Sequence, residues 1–67
     1  MNIEIKIGTY LNKYGEAWGN IIRLGKLTDW DNINRVLEHE IYHVILTEQG
    51  VNTFKQHNII HRLMNGY

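Results

Sequence analysis

The sequence predicts an α+β domain in which a small antiparallel sheet of two or three strands is followed by two antiparallel helices. Three observations carry this prediction. Residues 3–7, Ile-Glu-Ile-Lys-Ile, alternate apolar and charged, the period-2 signature of a half-buried strand. From Trp30 to Glu48 there is neither glycine nor proline, and apolar residues recur at helical spacing. A second helical stretch follows Gly50 and stops at Gly66.

After the first strand, Gly8 is read as a bend or bulge, with pairing free to resume through Thr9, Tyr10 and Leu11. Asn12-Lys13-Tyr14-Gly15-Glu16 carries turn chemistry, and Trp18 to Leu24 reads as a second strand that Gly19 weakens and Gly25 ends. Such a sheet is marginal alone and needs a helix against its apolar face. Thr28 or Asp29 is the expected N-cap of that helix, and Asp29 and Asp31 place negative charge where the helix dipole favours it.

At about 100° per residue with His39 at zero, Val36, Ile33, Val44, Leu37, Trp30, Ile41 and Ile45 span about 60° to 240°, a broad core-facing stripe. His39 and His43 fall at its border, and Glu40 at about 100°. Gly50 is the natural C′ residue of this helix. On the second helix, from about Asn52 to Asn65, the residues Ile60, Met64, His61, Phe54 and Leu63 gather around His57, which predicts that both of its histidines lie on the apolar face. The short connection makes the helices antiparallel neighbours, so that one histidine pair could face the other.

Sixty-seven residues without repeat or linker are read as one domain, 1–67. A chain of this size buries only about 60% of the surface its unfolded form exposes, so such domains often lean on a disulfide, a metal or a partner subunit. Cysteine is absent, which excludes disulfides and thiolate zinc sites and leaves a metal or association, for instance as a homodimer. Seven Lys and Arg balance seven Asp and Glu with no basic block, so no nucleic-acid partner is expected. No stretch resembles a signal peptide or reaches the roughly 20 apolar residues of a membrane span. The expectation is a soluble cytoplasmic domain, in the host cytoplasm if the source is a phage or virus.

The four histidines form two pairs, His39 with His43 and His57 with His61, each spaced four apart. In His39-Glu40-Ile41-Tyr42-His43 the two imidazoles project from one helical face and can grip one tetrahedral ion. Glu40 stands beside that ion without binding it, placed to take a proton from activated water. For a third ligand the candidates are His57 and His61, and His61 is also a candidate fourth ligand or carbonyl-polarising group. Trp18, Trp30 and Phe54 are expected in the core, and Tyr10, Tyr14, Tyr42 and Tyr67 as packing or rim residues.

With Val36 and Leu37 before it, Ile41 and Tyr42 inside it and Val44-Ile45 after it, the motif resembles the extended zincin signature. The metzincin subclass would want glycine at 46 and histidine at 49, where this chain has Leu46 and Gln49. The gluzincin subclass would want a later glutamate, and no Glu or Asp follows Glu48. Residues 19–24 (Gly-Asn-Ile-Ile-Arg-Leu), 36–46, Gly50-Val51 and 59–67 (Ile-Ile-His-Arg-Leu-Met-Asn-Gly-Tyr) resemble small phage-type metallopeptidases of the ImmA/IrrE-like group. The third ligand of that group, a glutamate, corresponds here to His57 or Gln56. The SprT-like group, similar in its HExxH helix, uses a histidine. These resemblances imply a minimal zincin with His39, His43 and His57 as zinc ligands, Glu40 as general base, His61 as a candidate fourth ligand and a peptide or protein substrate. A strand over residues 19–24 would then lie along the cleft and pair with extended substrate. The rival expectation is a non-catalytic, zinc-stapled domain that binds a protein partner. A third is a small regulator whose histidines are unrelated to metal.

Overall fold

The computed structural model describes residues 2–8 and 14–66. Its elements are β1 (Glu4–Gly8), β2 (Glu16–Trp18), β3 (Ile21–Gly25), a single 3-10 turn (Trp30–Asn32), α1 (Ile33–Glu48) and α2 (Thr53–Leu63). The α+β class expected from the sequence is observed. The pairing expected through Thr9, Tyr10 and Leu11, the turn residues Asn12 and Lys13, and Tyr67 lie outside the described residues.

The sheet is mixed rather than purely antiparallel. β3 lies centrally in the order β1-β3-β2, parallel to β1 and antiparallel to β2. The single strand expected over residues 18–24 is broken by a two-residue hairpin loop, Gly19-Asn20, across which Trp18 pairs with Ile21. Gly19 sits at φ 61°, the conformation a type II′ turn requires at its first central position. Gly-Asn between two apolar runs is a hairpin signal, and reading Gly19 only as a weak strand position misses it.

Alternation along the strands then decides burial. Ala17, Ile22 and Leu24 face the helices, while Trp18 and Arg23 point away from them. Trp18, expected in the core, is 77% exposed because it has the wrong parity. The register Ile5↔Ile22 and Ile7↔Leu24 turns the β1 isoleucines to the helix side, as the alternation predicts. α1 covers β2 and β3 but not β1, so Ile5 and Ile7 remain exposed.

Thr28 does not cap α1. It is buried, and its hydroxyl donates to the Tyr14 carbonyl, tying the chain after β3 to the chain before β2. Asp29 precedes the 3-10 turn and accepts at its carboxylate from the Asn32 side chain (2.9 Å), making no side-chain cap bond to the backbone. Trp30 belongs to that turn and is more than a third exposed, again contrary to a core position.

α1 ends in a Schellman motif. Val51 N–H donates to Leu46 carbonyl (2.9 Å) and Gly50 N–H to Thr47 carbonyl (3.0 Å), with Gly50 at φ 81° as its C′ position demands. α2 begins at Asn52, whose side-chain oxygen accepts from Lys55 N–H (3.0 Å). It closes through the same bonding pattern, with Asn65 in the left-handed region and Gly66 N–H donating to His61 carbonyl (2.7 Å).

Two faces of α1 are used. One packs Val44, Ile33, Val36, Leu37 and Ile41 on Ile22 and Leu24 of the sheet, as the stripe predicts. The other packs Leu46 and Tyr42 against Ile60 and Met64. His39 and His43 lie angularly between these faces, where sheet, α1 and α2 meet.

The buried face of α2 is Gln56, Ile60 and Met64, an i, i+4, i+8 row. It is therefore rotated by roughly 60° from the arc centred on His57. That arc runs through Phe54, expected in the core but 90% exposed, and Leu63, which is also exposed. His57 stands at the border of the buried row and His61 outside it; both are exposed rather than inside the apolar face.

Candidate metal centre

Helix geometry brings the first two imidazoles together without help from the rest of the fold. One turn apart on α1, His39 and His43 have ring centroids 5.0 Å from each other. α2 supplies the third ring: the His57 centroid lies 4.7 Å from that of His43 and 6.4 Å from that of His39. One ligand nitrogen from each of the three lies within 4.8 Å of the other two, close enough to hold a metal ion. Ligands of one tetrahedral ion at about 2.0–2.1 Å are about 3.4 Å apart, so side-chain rotation of about 1 Å closes the set.

His61 is not part of this group. Its ring lies beside Gly66, where a Cβ on that glycine would meet it at 3.6 Å. One turn along α2 from His57, it stands beside a stretch of α2 that still packs on α1, through Ile60 and Met64, without joining the three clustered imidazoles.

Gln56, weighed in the sequence as an alternative to His57, has a different position. Its buried side chain donates from Nε2 to the Val51 carbonyl (2.6 Å) and the Thr47 hydroxyl (3.1 Å), while Oε1 faces His43 Nδ1 at 2.8 Å. A carbonyl only accepts, so Val51 fixes which end of the amide is nitrogen. Oε1 must then accept from His43, which places the His43 proton on Nδ1 and leaves the Nε2 lone pair for a metal. Loop, helix C-terminus and imidazole tautomer are thereby set by one side chain. Gln56→Ala is expected to weaken metal binding by about 10–100-fold, read by chelator competition on the folded variant. Unchanged affinity would mean that packing alone orients His43.

Glu40 follows from the helical wheel. At about 100° from His39 it falls inside the sheet-facing stripe, and it is buried. Burial raises its pKa from 4.5 to about 6, against a lowering influence from His57 and with a further rise from Glu16. Its Oε2 is buried without a hydrogen-bond partner among the described residues. A Cβ on Gly15 would lie 3.7 Å from Glu40 Oε1, so the chain entering β2 passes close by the carboxylate.

These groups line an open cleft of about 650 Å³, with His39, Glu40, His43 and His57 on one side and the edge from Gly15 to Gly19 on the other. The cleft strand is thus β2, not the segment 19–24, whose β3 is paired on both sides. Among the aromatic residues, Tyr42 packs in the α1–α2 cluster and Tyr14 is exposed near Gly15.

Fit to a metal can be judged from the donors themselves. Three neutral imidazoles suit zinc and its neighbours in the transition series and disfavour magnesium or calcium, which want oxygen. One imidazole is oriented by a buried amide, and a buried carboxylate oxygen beside the set has no protein partner among the described residues. No helix among the described residues is long and apolar enough to cross a membrane. No protein-family model, curated protein or solved structure matches this chain.

Proposed function

We propose that this chain is a minimal zinc-dependent metallopeptidase, with His39, His43 and His57 as ligands and Glu40 as general base. The observation that carries the reading is the buried Glu40 carboxylate, with one oxygen lacking a partner among the described residues, beside three convergent imidazoles. Three protein ligands leave a tetrahedral ion one open position, the arrangement of catalytic rather than structural sites. Zinc supplies Lewis acidity there, acidifying water and polarising a carbonyl. Glu40 takes the proton of the attacking water and passes it to the leaving amine nitrogen. The backbone edge of β2, facing the cleft, pairs with an extended peptide and sets the scissile carbonyl beside the imidazoles.

A second reading has its own support. The buried apolar residues form two small clusters, one between α1 and the sheet and one between α1 and α2. A metal joining α1 to α2 would staple them, and the domain would then serve as a non-catalytic binding module.

Elemental analysis of untagged, zinc-loaded protein is expected to find about one zinc per chain, and a peptide library to show hydrolysis. Less than a tenth of an equivalent sinks both readings. A full equivalent with no cleavage across the library leaves the stapled module. Because protons compete for imidazole lone pairs, zinc affinity is expected to fall steeply as the pH drops below about 6.5, where free imidazole protonates. Affinity that stays flat from neutral pH to pH ~5 would point to ligands other than histidine.

A further inference from the structure

Among the described residues, β1 is an edge strand whose outer side has no partner. Glu4 N–H donates to the Asn20 carbonyl (2.9 Å), so Glu4, Lys6 and Gly8 turn their backbone groups toward β3. Alternation leaves the N–H and C=O of Ile5 and Ile7 pointing outward from the sheet. The side chains of these two residues stand on the helix-facing side, 49% and 62% exposed, beyond the reach of α1. A proline-free strand with outward-pointing backbone groups, unpaired among the described residues, and an apolar face is a template for another strand.

We infer that this edge pairs with β1 of a second copy of the chain, antiparallel about a two-fold axis at Ile5, joining two three-stranded sheets into one of six strands. The sequence of the strand selects both occupant and register. Centred on Ile5, the pairing sets Ile5 against Ile5 and Ile3 against Ile7 on the helix-facing side. On the other side it sets each Glu4 against Lys6 of the second copy, so the strand is its own charge complement. Glu4 and Lys6 are both exposed, 3.8 Å apart within one strand and available to a neighbour. Centring on Lys6 instead would oppose lysine to lysine, about a residue whose backbone groups already face β3. Centring on Ile7 would leave Lys6 opposite Gly8 and match no charges. Ile5 is an outward-facing residue, so the chosen axis falls on a pair able to exchange both backbone hydrogen bonds. An edge lysine ordinarily discourages strand addition, and here the glutamate two residues away answers it. The cleft lies along β2, the opposite edge, and stays open in both copies.

Analytical ultracentrifugation of the untagged, zinc-loaded chain tests this over a concentration series. A reversible species of twice the chain mass is expected. Lys6→Glu opposes two pairs of glutamates and should raise the dimer dissociation constant about tenfold or more, while the double variant Glu4→Lys with Lys6→Glu should restore it. Both positions are exposed, and circular dichroism should show the variants folded. A chain monomeric at every concentration overturns the proposal. So does a dimer indifferent to Lys6→Glu, one the charge swap fails to restore, or one that dissolves on zinc chelation while circular dichroism shows the chain still folded.

Discussion

Replacing Glu40 with glutamine is expected to lower peptide hydrolysis by about 10²–10⁴-fold, the usual worth of a positioned general base. Zinc affinity should stay close to that of the unaltered chain, because Glu40 is not one of the three clustered histidines that could hold the ion. The amide keeps the shape of the carboxylate and loses the ability to accept a proton. Hydrolysis that survives the substitution would remove Glu40 from the chemistry. A second readout does not depend on turnover. In the metal-free protein burial raises the Glu40 pKa from 4.5 to about 6, so the folded state binds its proton more tightly than the unfolded state. The resulting stabilisation is fully present below pH 4.5 and is lost as the pH rises through about 6. Its size is about 2 kcal/mol, from 1.36 kcal/mol per unit of pKa. Denaturant melts of the apo protein should show this loss between acidic and neutral pH, and Glu40→Gln should abolish that pH dependence. If the two proteins have the same pH profile, the carboxylate is not held in the buried environment described above.

Replacing His57 with alanine should weaken zinc binding by more than the roughly 10–100-fold expected for loss of an outer hydrogen-bond partner such as Gln56. The remaining pair sits on one helix, so the metal would no longer join α2 to α1. Zinc at about 100 times its dissociation constant stabilises a fold by about 2.7 kcal/mol. For a domain this small, that corresponds to a rise in Tm on the order of 10 °C or more. The intact chain should show such a rise and His57→Ala should lose most of it. His61→Ala should behave like the unaltered chain, since its ring lies beside Gly66 and outside the cluster. A thermal shift retained in His57→Ala and lost in His61→Ala would reverse the assignment.

What the sequence determined by itself was local. A spacing of four on an uninterrupted helix places His39 and His43 on one face whatever surrounds them, and the same geometry sets Glu40 inside the apolar stripe, which is why it is buried. Gly50 as the stop of α1 and the inward parity of Ile5 and Ile7 follow equally from short-range rules. The rest needed the tertiary structure, because it turns on which elements meet and at what rotation. Nothing in the chain order puts β1 beside β3, with β2 left as the strand along the cleft. That order is a matter of long-range pairing, and it decides that Ile5 and Ile7 lie beyond the cover of α1. The choice between His57 and His61 depends on the rotation of α2. Exposed Phe54 and Leu63 draw the helical wheel toward the wrong arc, whereas the buried row runs through a polar residue, Gln56. A buried glutamine is stable only with its hydrogen bonds made, and its partners Thr47, Val51 and His43 converge only after the α1–α2 turn has closed. The half-site on α1 was therefore written in the spacing of its residues, while the docking of α2 supplied the third imidazole and the amide that orients the second.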